Sequence, residues 1–180
     1  MSTAGPIRRP VVAFLLACTL LVTATACGSD GEGGDTAATP TGSAEAQKFA
    51  KTRFVANAGL AAGATYQWIV KPYRAGTFKK GAEGQKFALV KAGLAGAFAY
   101  NRLKAAVNNA KGDELLSKAL VPVMAGIESL KGLGTKLRKG EVGAADVGAF
   151  ESVITDVKEA GRSAGAEVTD KVPSVSQLGG

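Results

Sequence analysis

The residues best placed to do chemistry are cations. Lys71, Arg74, Lys79, Lys80 and Lys86 gather within sixteen positions, with Trp68, Tyr73 and Phe78 close by in sequence. The chemistry such a cluster supports is the binding of anions, and its context strengthens that reading. Residues 46–111 carry twelve Lys and Arg against one acid, Glu83, a net +11. Residues 112–180 are close to balanced at −2, and residues 28–45 hold four acids and no base. A charge asymmetry of this size is a statement about partners, because basic groups beside an anionic surface contribute about 1 kcal/mol each, screened within a Debye length.

Catalytic chemistry is harder to find. The chain has no histidine, which removes Ser-His-Asp and Cys-His catalysis, imidazole metal sites and the usual titrating switch near neutral pH. No Ser-x-x-Lys occurs, and "GLAAG" and "GLAG" do not stand in strand-to-helix turns, nor does a GK[ST] follow them. The acids Glu141, Asp146 and Glu151 step by five to Asp156, with Glu159 beyond, and so point in several directions. The expectation is a binding protein and not an enzyme, with no catalytic residues, metal ligands or cofactor. A second expectation concerns Tyr66, Trp68, Phe98 and Tyr100, which could line a pocket for a small apolar or lipid-like ligand between the first two helices.

The elements that must position these residues read as helices. The chain has 180 residues, 46% hydrophobic but only 6% aromatic, and is rich in Ala and Gly. That composition suits closely packed helices better than a β-sandwich. Val55, Gly59, Ala62, Tyr66 and Ile69 recur at three- and four-residue steps, predicting a helix over 44–70 that stops before Pro72. A second helix is expected over 85–108, and a third over 113–137, capped by Asp113 and kinked at Pro122. The third has the clearest seam: Leu116, Leu120, Val123, Ile127, Leu130, Gly134 and Leu137. A fourth helix, 146–164, has an apolar face of Val147, Phe150, Ile154 and Val157, and the aperiodic residues 167–180 read as a disordered tail. The fold class is therefore all-α, an antiparallel four-helix bundle over 44–166.

Two features of the first hairpin leave alternatives open. Ala58-Gly59-Leu60-Ala61 and Ala92-Gly93-Leu94-Ala95 match at an offset of 34, which also pairs Tyr66 with Tyr100. This is either a duplicated hairpin or two helices that share small residues for close approach. On either reading Gly59, Gly63, Gly93 and Gly96 are expected to pack the two helices against each other. The hairpin could also be membrane-embedded, but a span needs about 20 predominantly apolar residues. Phe54–Val70 is shorter, and Phe87–Tyr100 contains Lys91.

The first residues give an address. Arg8 and Arg9 precede the apolar run Val11–Val22, and small residues lead to Cys27 in "TATAC". That is the anatomy of an export signal. Ala24-Thr25-Ala26-Cys27 resembles the lipobox of bacterial lipoproteins, with Ala24 where that family usually has Leu. The resemblance covers the signal alone. It implies a signal peptide over 1–26, lipidation of Cys27 and anchoring of an extracytoplasmic protein to the cell membrane; without the lipid the product would be secreted. Residues 27–43, "CGSDGEGGDTAATPTGS", read as a flexible acidic tether. Besides the membrane holding its lipid, the expected partners are anionic lipid, an anionic wall polymer or an acidic protein. Nucleic acid is not expected for an exported chain, and oligomeric state is not legible.

Overall fold

The computed structural model describes residues 41–179. The signal peptide, Cys27 and most of the tether lie outside the described residues. Among the described residues there is no strand. Helix α1, Thr41–Thr65, passes without a break into a π-turn, Tyr66–Val70, and a last turn α2, Lys71–Arg74. Then follow α3, Gln85–Ala110; α4, Glu114–Leu120; a 3₁₀ turn, Val121–Val123; α5, Met124–Ser129; α6, Leu133–Lys139; α7, Ala144–Ser163; and the short α8, Val175–Leu178.

The long segments are antiparallel neighbours. Asn57 Oδ1 accepts a bond from Arg102 while Lys91 sits over Trp68, so α1 and α3 run in opposite directions. Arg138 lies against Gly93, and Glu128 takes Lys104, which sets α5–α6 against α3 in the same way. Phe54 meets Gly161 and Arg74 meets Glu151, which closes the bundle with α7 beside α1. The architecture is the expected all-α four-helix one. Every member of the third-helix seam, Leu116 to Leu137, is buried. On α7, Val147, Phe150 and Val157 are buried, joined by Val153, while Ile154 is half-buried at the edge of the core.

Local chemistry explains the breaks. Asp113 caps α4: its Oδ1 accepts from Leu116 N–H at 2.8 Å, and its other oxygen faces Lys51 Nζ at 3.6 Å. Pro122 converts the helix to a 3₁₀ turn, the expected result of removing a backbone donor. A further break at residues 130–132 was not foreseen. It rests on Gly132 at φ +85°, a left-handed conformation that costs glycine little.

Three expectations of the fold need correction. The first helix does not end at Val70. Lys71 N–H bonds to Tyr66 O in the wider π pattern, and the helix continues past Pro72 to Arg74. A π-turn is one way to admit a proline ring that would clash with the carbonyl four residues back. The other helices run 85–110, 114–139 in pieces, and 144–163, in place of 85–108, 113–137 and 146–164.

The tail, second, is not disordered. Lys171 N–H donates to Gly59 O at 2.8 Å, Trp68 Nε1–H reaches Pro173 O at 3.4 Å, and Val168, Pro173 and Leu178 are buried. Its lack of period reflects an extended strap whose partners are a helix's backbone and small side chains.

Third, the glycines do not join the first two long helices. Gly59 and Gly63 face the tail at Thr169 and Lys171, while Gly93 and Gly96 face Gly134, Leu137 and Arg138. Glycine marks where a backbone comes close but carries no information on whose backbone it is. The two halves of the 34-residue match thus meet different partners. Among the described residues no helix is long and apolar enough to cross a membrane, in line with the short apolar stretches of the first hairpin.

Candidate functional site

The hairpin formed by α1–α2 and α3 turns through residues 75–84 at one end of the bundle. The antiparallel register brings a second connection to that end, because Gly140 stands beside Leu89 and Glu151 beside Arg74. The cations of both connections therefore share one end of the bundle. Arg74 is tied to Glu151 at 2.5 Å, and Lys136 to Asp146 at 3.3 Å. Asp146 is held below the ordinary carboxylate range, first by the Gly143 N–H that it accepts at the start of α7 and then by Lys136. Lys71, Lys79, Lys80, Lys86, Lys91, Arg138 and Lys139 have no carboxylate within ion-pair distance among the described residues. All of these except the half-buried Lys91 are exposed.

The structure thus groups four of the five proposed anion-binding residues, Lys71, Lys79, Lys80 and Lys86, as unpaired cations. The fifth, Arg74, is engaged on α7. It also adds Arg138 and Lys139, which the near-neutral total for residues 112–180 concealed.

A groove of about 350 Å³ opens at this end, between the π-turn and the start of α3. Trp68, Lys71 and Pro72 form one wall, and Phe87, Ala88 and Lys91 the other, with Glu83 at the loop. The Lys91 ammonium lies 4.1 Å from the Phe87 ring centre and 5.1 Å from that of Trp68. Such contacts contribute about 0.5–1 kcal/mol each at exposed positions, enough to hold the amine across the groove.

Compared with protein families, curated proteins and solved structures, the chain matches none.

The four residues expected to line a ligand pocket are not brought together. Tyr66 is 53% exposed beside α7, Phe98 is buried under Arg102, and Tyr100 bonds to Glu128 on the α5 side. That bond is the first cause holding the Tyr100 hydroxyl above its ordinary pKa, while Glu128 is held low first by Lys104 and then by Tyr100. Trp68 alone lines the groove. What sequence reasoning missed is the pair Phe87 and Lys91, four residues apart on one helical face, the spacing at which side chains meet. Lys91 entered that reasoning only as a charge inside an apolar run. Among the described residues no group of three His, Cys, Asp or Glu could hold a metal ion.

Proposed function

We propose that this chain is an extracytoplasmic protein of the cell envelope, anchored to the membrane by lipid on Cys27, that acts by binding. The hairpin end of its bundle engages an anionic polymer of the envelope. The observation that carries this reading is the seven unpaired cations collected at that one end.

A polymer fits this surface because its unpaired cations belong to two separate connections, at residues 71–86 and 138–139, and a chain carrying many anions can contact both at once.

The test replaces Lys71, Lys79, Lys80 and Lys86 with Gln and measures retention on isolated anionic wall polymer and on anionic vesicles. At about 1 kcal/mol per lysine, the loss on polymer should approach a thousandfold at low salt and shrink at high salt. Undiminished retention of the variant on polymer would end this reading. Retention by vesicles alone would move the partner to the bilayer. The anchor is tested separately: Cys27→Ser should release the protein from the membrane fraction.

A further inference from the structure

The groove beside Trp68 makes a different offer from the charged surface around it. We infer that it is a binding site for a single-tailed amphiphile with an anionic head, a carboxylate or a phosphate. The head group would meet Lys91 and Lys71, and the tail would lie along Trp68 and Phe87.

Its size and lining fit that class. About 350 Å³ is at the small end of the range in which proteins hold low-molecular-weight ligands, typically apolar clefts with a few placed polar groups. Beneath the Lys91 ammonium Phe87 stays 64% exposed, although burying a phenylalanine side chain contributes about 1.5–3 kcal/mol. Lys91 supplies the head-group contact already positioned, its ammonium held over two rings and without a carboxylate partner among the described residues. Two ammonium groups against the single carboxylate of Glu83 leave the groove net positive, which selects an anionic head over a cationic one. The π-turn puts Gln67 and Trp68 on the groove wall, and such turns recur at functional sites. Trp68 is also fixed from behind by its bond to Pro173 O.

The chain carries its own reporter, since Trp68 is its single tryptophan. The full chain is titrated, below micelle-forming concentrations, with decanoate, decyl phosphate, decanol and decyltrimethylammonium, following Trp68 fluorescence with calorimetry in parallel. Saturable binding of the two anions and none of the other two is expected, and the stronger of the anions identifies the head group. Lys91→Gln and Phe87→Ala should each weaken binding about tenfold or more, with unchanged circular dichroism and melting. Lys118→Gln, on the exposed surface of α4, should leave it unchanged. Replacing Lys79, Lys80 and Lys86 with Gln should lower polymer retention and spare amphiphile binding, so the two readings can fail independently. The inference is overturned if neither anion binds saturably, if the cationic amphiphile binds as well as decanoate, or if both groove variants bind like the parent.

Discussion

Substituting Gly63 with Ala reverses an ordinary expectation. In the middle of a helix, Gly→Ala stabilises by about 1 kcal/mol through propensity alone. At Gly63 the added methyl would overlap the backbone carbonyl of Lys171 and come within 2.7 Å of Val172 N. Those atoms belong to the tail's backbone and cannot swing aside as the end of a side chain would. The tail must shift, at a cost of about 1–3 kcal/mol for overpacking. It also weakens the Lys171–Gly59 hydrogen bond, worth about 1 kcal/mol. The net expectation is a loss of about 1–2 kcal/mol.

Gly148 on α7 is the control, because a methyl there meets nothing within 4 Å. Gly148→Ala should stabilise by about 0.5–1 kcal/mol. A chain truncated after Gly165 gives the other half of the cycle: without the tail, Gly63→Ala should recover its helical gain, a coupling of about 2–3 kcal/mol. Urea unfolding followed by far-UV circular dichroism and Trp68 fluorescence reads all of these. The reasoning is refuted if Gly63→Ala stabilises the full chain as much as Gly148→Ala does. That comparison holds even if the truncated chain does not fold.

Three further outcomes follow from named contacts. Asp113→Ala removes the cap of α4 and should cost about 1–2 kcal/mol in urea unfolding. Lys51→Met removes the ammonium that donates to Ala164 O at 2.7 Å and faces Asp113, leaving that buried carboxylate less satisfied; unfolding should show a loss of about 1–3 kcal/mol. Asp146, with its pKa lowered by Gly143 N–H and Lys136, stabilises the fold at and above neutral pH. That contribution is in place above the unfolded carboxyl value of about 3.9 and is lost as pH falls through the lower folded value. Asp146→Asn should therefore destabilise at pH 7 and converge with the parent in acid, measured by unfolding at both pH values.

Much of the fold was legible because its signals are local. The seam from Leu116 to Leu137, the face from Val147 to Val157, the cap at Asp113 and the kink at Pro122 all follow from spacing or from one residue's chemistry. The failures are places where a distant partner decides. Pro72 is tolerated inside the helix once the π-turn changes the bonding register. Residues 166–178 pack without periodicity because the surface beneath them changes along the strap, from Gly161 of α7 under Ala166 and Val168, to Gly59 and Gly63 of α1 under 169–172, to α3 beside α8. In the candidate site, the lysines near the hairpin turn could be read from their density. Arg138 and Lys139 join them only because the antiparallel register returns the second connection to the same end. The groove depends on Lys91 lying over Trp68, residues 23 positions apart. Only the packing of α1 against α3 sets that contact.

The central claim is that the hairpin end of the bundle is the binding surface. Amide chemical-shift mapping of the isotope-labelled chain during titration with an anionic envelope polymer tests it most directly. Perturbations should concentrate at residues 71–91 and 136–141 and fade as salt is raised. Perturbations centred instead on the opposite end, around Lys48, Arg102 and Lys111, or no saturable shift at low salt, would contradict it.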